Sequence, residues 1–516
     1  MNVIRALAAA ATAILALGGV ALAGPDIERG RALYERQCAA CHGVAGRGDG
    51  PAAYLLFPKP RNFARGTYRF VSTWEHVPTD DDLLAVITRG IPGSSMPAWG
   101  HLPESDRHAL VAYVKSLSNR DFTIVPTSAP VPDEGTPGTG VLMPPAEGEY
   151  DPARGRELFA DACASCHGPE GKGDGDQPLV DADGWPIRPR DLTSGVFKSA
   201  PTPEQLYRRI ILGIPGTPMP VNDWAWGQDG WHLVRFVLSL SSPVQRERAE
   251  MVHHTIRASR VARVPDHPDD GAWAAAPPVH LHLMPLWWRY ARPEEVVVRA
   301  LHDGRALALL LVWTDASHDE TAMRPQDFRD AAAVQFALGD DDPPFFAMGE
   351  RAAPVNIWMW KAERQADLEP AFQDLERIYP NLGIDSYPNP LLGPLEQPHR
   401  HALTVDASPL FVTAWGAGNI VADPTRRSAV EDLRAQGFGT LRARPPVDRA
   451  VSARGTWEFG SYRVLLRRDL KVESPDAVRP RPGGTVPVAF AIWDGSAGDH
   501  NGQKSVTIWQ RLALER

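Results

Sequence analysis

Two stretches of this chain are near copies of each other. RGRALYERQCAACHGVAGRGDG, beginning at Arg29, is answered by RGRELFADACASCHGPEGKGDG, beginning at Arg154. The likeness continues downstream, where PKPRNF is matched by RPRDL and RGIPGSSMPAWG by LGIPGTPMPVND. An offset of 125 residues separates Cys38 from Cys163, and 123 separates Met96 from Met219, so both copies keep nearly the same internal spacing. A duplication of this kind demands two similar domains in tandem.

Each copy carries Cys-x-x-Cys-His: Cys38, Cys41 and His42 in the first, Cys163, Cys166 and His167 in the second. Two thiols one helical turn apart can add to the two vinyl groups of a haem, and the adjacent histidine then sits under the iron. The opposite face of the iron needs a second ligand, and Met96 and Met219 supply candidates. Each lies in Gly-Ile-Pro-Gly-x-x-Met-Pro, whose turn residues make a rigid loop. A redox dithiol, or one zinc ion shared by both pairs, would leave the repeated histidines and methionine loops without a role. A core or turn role would account for a single methionine, but less readily for the same residue in the same loop twice.

These segments resemble class I c-type cytochromes, small all-α domains, over roughly 25–120 and 150–242. Helical patterns in PDIERGRALYERQCAACH, DDLLAVITRGI and SDRHALVAYVKSLS, and in PTPEQLYRRIILGI and GWHLVRFVLSLSS, fit that fold. The resemblance implies two covalently bound haem c groups with His/Met ligation, which suits electron transfer at moderately positive potential.

The first residues suggest export. A positive start at Arg5, an apolar run from Ala6 and the small-residue site Ala21-Leu22-Ala23 read as a signal peptide over 1–23; an uncleaved anchor is the competing reading. The expected location is the periplasm, with membrane association only through partners. All four cysteines belong to the two pairs, leaving none for a structural bridge. A formal charge of -9, with no Lys/Arg run, argues against nucleic acid as a partner. No segment after the first is apolar enough to cross a membrane.

The remaining divisions follow from composition. Domain one spans 24–118, a Pro/Gly-rich linker 119–152, domain two 153–242 and a charged connecting segment 243–264, read as a helix or strap. Residues 265–516 read mainly as strands. Glu294–Leu301 and Arg305–Trp313 flank a His302-Asp303-Gly304 turn, and β-rich runs recur at AVQFAL, VNIWMWKA, PLFVTAWG, SYRVLLRRDL, VPVAFAIW and SVTIWQRLAL. Many short strands between turns predict a sandwich-like or barrel domain. Residues 364–400 break the rhythm, with a helix expected over QADLEPAFQDLERIY.

PPFFAMGE (343–350), PVNIWMWKA (354–362) and VAFAIWDGSAGDHNGQKSVTIWQ (488–510) resemble the haem b-binding subunit of ethylbenzene dehydrogenase. Its relatives serve selenate and chlorate reductases, dimethyl sulfide dehydrogenase, and some nitrate reductases and nitrite oxidoreductases, all dimethyl sulfoxide reductase-type molybdoenzymes. The resemblance implies a non-covalent haem b held by Met348 and Lys504. It also implies a molybdopterin catalytic subunit and an iron–sulfur subunit as partners. By residue type alone His280, His282, Met284, Met323, Met359 and His500 are equally eligible ligands. Family members are single-domain subunits, so the fused cytochromes and the expanded 364–400 region are departures that leave the catalytic partner's identity open.

The fold expected is therefore multidomain, two all-α cytochrome c domains followed by a mainly β sandwich-like haem-binding domain. The function expected is a non-catalytic electron-transfer subunit that exchanges electrons with a soluble cytochrome or other periplasmic carrier. The alternative is a dihaem subunit of another dehydrogenase, whose β domain docks or binds carbohydrate without haem.

Overall fold

The computed structural model describes residues 26–131, 136–321, 324–339, 343–368, 428–444, 450–474 and 476–516. The leader reading over 1–23, the PLFVTAWG strand and most of the expected helix over QADLEPAFQDLERIY lie outside them, as does Met323.

The first domain is built from α1 (Ile27–Gln37), α2 (Ala39–His42), α3 (Asp80–Arg89) and α4 (Glu104–Ser116). The second repeats it with α5 (Pro152–Ala162), α6 (Ala164–His167), α7 (Pro203–Leu212) and α8 (Gln228–Ser239). Local chemistry starts the helices alike. Asp26 caps α1 by accepting from the Arg29 N–H at 3.0 Å, and Asp151 caps α5 ahead of Pro152, accepting from the Ala153 N–H at 2.9 Å. Thr79 and Asp82 form a reciprocal capping box at α3.

Helix α1 buries Gly30, Leu33, Tyr34 and Gln37, and α5 buries Gly155, Leu158 and Phe159, the same face in each copy. Gly30 and Gly155 let the first helix of each domain lie directly against the last. A Cβ at Gly30 would overlap the Ala109 carbonyl of α4, and one at Gly155 the His232 carbonyl of α8. Burying each large apolar side chain of these faces is worth roughly 1.5–3 kcal/mol, so the crossing is held by packing and not by propensity.

Among the described residues of 119–151 there is no helix, in keeping with the prolines, but the stretch is anchored, and its last expected residue, Pro152, opens α5. Leu142 is fully buried in the core of the second domain, its N–H donates to the Ser72 carbonyl of the first at 2.7 Å, and the Trp231 indole donates to the Pro145 carbonyl at 3.0 Å. The linker is thus a strap laid across both cytochrome domains.

The connecting segment also differs from its helix-or-strap reading. After a short α9 (Pro243–Arg248) comes β1 (Thr255–Arg260), whose alternating Ile256 and Ala258 are buried. The strand belongs to the third domain's sheet, so that domain's architecture begins inside the segment. Its flanking arginines mask the alternation in the sequence.

The third domain continues with β2 (Val279–His282), β3 (Met284–Pro285), β4 (Glu295–His302), β5 (Ala306–Thr314), β6 (Ala331–Ala337), β7 (Val355–Lys361), α10 (Ala362–Ala366), β8 (Val430–Ala435), β9 (Arg442–Ala443), β10 (Val451–Glu458), β11 (Ser461–Asp469), β12 (Thr485–Trp493), β13 (Ser505–Val506) and β14 (Gln510–Leu514). Among the described residues these strands and β1 form one 14-stranded sheet with main order β10-β11-β5-β4-β1-β14-β12-β6-β7-β8-β9. The β4–β5 hairpin is antiparallel, Val298 opposite Leu311, and Asp303 Oδ1 accepts the N–H groups of Arg305 and Ala306 at its turn. Parallel pairing of β1 with both β4 and β14 brings the first and last strands of this domain together within the sheet. Residues from β4, β5 and β11 meet residues from β6, β7 and β12 in one core containing Trp313, Trp358, Trp360 and Phe490, giving the sandwich-like packing expected.

Candidate functional site

Within α2, Cys41 and His42 donate their N–H groups to the Cys38 carbonyl at 3.1 and 2.9 Å, and α6 repeats the turn at 3.2 and 2.9 Å. This single turn puts both thiols and the imidazole of each copy on one wall of a cavity. The first cavity, of about 570 Å³, is lined by Cys38, Cys41 and His42 together with Met96; the second, of about 180 Å³, by Cys163, Cys166, His167 and Met219.

The two methionine loops are superimposable in their bonding. Ile91 donates to the Met96 carbonyl at 3.0 Å and Ser94 Oγ to the Ile91 carbonyl at 2.7 Å; Ile214, Met219 and Thr217 do the same at 3.2 and 2.8 Å.

The electrostatics of these side chains suit a metal ligand. His42 Nδ1 lies 3.0 Å from the Arg61 carbonyl, which can only accept, so Nδ1 carries the proton and Nε2 keeps its lone pair. His167 faces the equivalent Arg190 carbonyl at a looser geometry. Burial pushes both imidazoles down, His167 to about 4, so they are neutral near pH 7. Burial also pushes the thiols of Cys38 and Cys41 up to about 12 and that of Cys163 to about 11. Thiols held protonated make slow redox dithiols. The donor set and the apolar lining, with Leu83, Val86, Ile87 and Val114 in the first cavity, fit a covalently held haem.

Family comparisons agree. Residues 25–114 match the family described as cytochrome c oxidase, cbb3-type, subunit III; 152–241 match cytochrome c; and 270–376 with 441–505 match ethylbenzene dehydrogenase. A cytochrome c of Gibberella zeae is 31% identical over 18% of this chain and 96% of its own length. The chain belongs to the cytochrome c family, and its second half carries an ethylbenzene dehydrogenase domain.

Two further relatives are similar. The dimethylsulfide dehydrogenase subunit gamma of Rhodovulum sulfidophilum is 34% identical over 19% of this chain and 40% of its own length. The chlorate reductase subunit gamma of Ideonella dechloratans is 22% identical over 47% of this chain and 77% of its own. This chain therefore spans less than half of the first and about three quarters of the second. Its cytochrome c domains carry covalently bound haem c and mark it as extracytoplasmic. Among the described residues no helix is long and apolar enough to cross a membrane.

In the ethylbenzene dehydrogenase domain, Met348 and Lys504 border one apolar cluster. Met348 packs against that cluster, and the Lys504 ammonium lies 4.6 Å from the ring centre of Trp493, one of its members. Lys504 as a residue is partly exposed, but its nitrogen is enclosed, and burial pushes it down to about 8. From there, deprotonation near pH 7 costs about 1 kcal/mol in place of the roughly 4–5 required from ~10.4. Met348 adopts a left-handed backbone, φ 70°, that costs a methionine of order 1 kcal/mol. Gln335 fixes it there, donating from Nε2 to the Phe346 carbonyl at 2.7 Å and accepting the Met348 N–H at 3.2 Å.

Several features of this region escaped sequence reasoning. Ala331, Ala333 and Ala337 of β6 and Ala489 and Ala491 of β12 belong to or pack on the same cluster, a flat small-residue face. Alternating alanines in two strands were the available signal. Among the other eligible ligands, His282 uses its Nε2 to accept from Gly93, whereas His280 and His500 bond through Nδ1, to Glu295 and to the Gly498 carbonyl, each at 2.8 Å. Met284 and Met359 belong to or pack on the cluster as apolar side chains.

Proposed function

We propose that this protein is the three-haem electron-transfer subunit of a periplasmic molybdopterin oxidoreductase complex. Cys38, Cys41, His42 and Met96 hold one haem c, Cys163, Cys166, His167 and Met219 the other, and Met348 and Lys504 a haem b. Each haem, when bound, takes up and gives away one electron at its iron. The catalytic and iron–sulfur subunits would meet the chain on the haem b side, and a soluble carrier would exchange with the cytochrome domains.

One observation carries this reading. The first cytochrome cavity is walled by residues of both other domains: Phe345, Phe346, Trp287 and Trp288 from the third, and Ile187, Arg190 and Ile214 from the second. Cys41 and Met96 pack on the same apolar cluster as Met348. Such packing suits a continuous path with the first domain in the middle. His42 with Met96, and His167 with Met219, would together hold each c haem's iron and leave no place there for substrate.

A pyridine haemochrome spectrum of the purified full chain tests the cofactors, and one b haem beside two c haems is expected. Two c haems alone would favour a haem-free docking or carbohydrate-binding β domain. Co-purification from the native periplasm should recover a molybdopterin subunit; its absence, with another dehydrogenase in its place, would overturn the assignment of partner.

A further inference from the structure

The two cytochrome cavities share a wall. Phe70, Ile187, Arg188, Arg190, Lys198 and Ile214 line both of them. Arg61 and Arg69, from the first domain, line the first cavity beside this wall. Cations from two separate domains thus converge where the cavities meet.

Their counter-charge is incomplete. Arg69 pairs with Asp181 at 2.8 Å, yet its buried Nε has no partner. Arg190 donates from Nη2 to the Pro92 carbonyl at 2.9 Å, and its Nε is likewise buried and unpartnered. Glu294, the carboxylate that acts on Arg190, is engaged by Arg292 at 2.5 Å. Neither the Lys198 ammonium nor the Arg61 guanidinium has an ion-pair partner among the described residues. Burial depresses all four, Lys198 to about 7, Arg190 to about 9 and Arg61 to about 10; repulsion from Arg69 adds to it for Arg61, from Arg190 and Arg69 for Lys198, and from Arg292 and Arg89 for Arg190. All four are half-buried residues, and cations brought together in this number call for anions to reach them. A guanidinium fork matches a carboxylate, and each haem brings a pair of propionate carboxylates.

We infer that this wall is an anion site common to both cofactors: Arg61, Arg69, Arg190 and Lys198 bind the propionates of the two c haems, which face one another across it. The inference rests on the two-haem reading above and adds the residues that hold and couple them. Arg61 and Arg190 occupy equivalent positions in the duplication, each also presenting its carbonyl to the haem-ligand histidine of its own domain. Duplication followed by packing of the copies therefore turns two private sites into one.

The test uses the full-length holoprotein and its Arg190→Gln and Lys198→Gln variants, with Lys198→Arg as the charge-keeping variant and surface Arg235→Gln as control. Haem content is read by pyridine haemochrome and the midpoint potentials by spectroelectrochemical titration. A cation beside a haem favours the electron-rich reduced state, so each glutamine variant should lower the potentials of both c haems together at unchanged haem content. Lys198→Arg and Arg235→Gln should leave them in place. Potentials that stay put, or a shift confined to one haem, would overturn the shared site. If the glutamine variants fail to assemble, electron paramagnetic resonance of the oxidised wild type decides: mutual relaxation of the two ferric c haems is expected, and magnetically independent signals would refute the inference. Unmodified cysteines in the mass spectrum would instead defeat the two-haem reading itself.

Discussion

The Gly93 N–H of the first cytochrome domain donates to Nε2 of His282 in the third domain at 3.2 Å. This bond ties the loop that carries Met96 to strand β2. Burial, with Arg292, Arg190 and Arg89 nearby, pushes His282 down to about 3, so the ring is neutral and able to accept.

Acid should therefore loosen this junction. A histidine whose folded-state pKa is depressed contributes fully above its unfolded value of ~6.5 and loses that contribution as pH falls toward the folded value. Denaturant titrations from pH 7 to pH 4 should show stability falling, with His282 contributing up to about 1.4 kcal/mol per pH unit. His282→Gln, which keeps an acceptor for Gly93, should flatten that acid limb; an unchanged pH slope would remove His282 from the account.

Lys504→Ala should release or misligate the b haem and spare both c haems. The visible spectrum checks this, and an unaltered b-haem band would exclude Lys504 as a ligand.

Gln335→Leu keeps the volume of the clamp but leaves the Phe346 carbonyl and the Met348 N–H without their partner. The expected cost is about 1–3 kcal/mol in thermal or denaturant stability, together with a changed b-haem spectrum. A spectrum identical to wild type would show that Met348 needs no such support.

Met96→His and Met219→His should each remove the thioether-to-iron charge-transfer absorption of one ferric c haem and lower that haem's potential, because imidazole favours the ferric state more than a thioether does. Each variant should change one haem's ligand-field signature. Loss of neither signature would place these methionines away from iron.

Gly155→Leu should drive a side chain into the His232 carbonyl and separate α5 from α8. About 3 kcal/mol of destabilisation is expected by denaturant unfolding, accompanied by incomplete haem loading of the second domain. The same substitution at exposed Gly184, where a Cβ meets nothing within 4 Å, should be milder despite its positive φ.

Much of the fold was legible because its signals are local. Cys-x-x-Cys-His lies within one helical turn, and Gly-Ile-Pro-Gly-x-x-Met-Pro is a self-bonded loop, so each reads without knowledge of the rest. The β4–β5 hairpin was likewise visible from its Asp-Gly turn. Strands β8 and β10 were missed because Glu431, Asp432 and Arg434, and Arg454 and Glu458, interrupt their apolar alternation. In β8 those charges are paired within the fold, Asp432 with Arg444 at 2.8 Å and Glu431 with Lys361 at 3.1 Å.

Sequence alone determined the covalent chemistry of the first half, since thiol spacing, imidazole and thioether loop are set by neighbours along the chain. Only the tertiary structure decided that all three domains meet around the first cytochrome cavity and that Arg61, Arg69, Arg190 and Lys198 converge. Burial and uncompensated charge are properties of surfaces brought together from distant positions, and no local pattern encodes which surfaces will meet.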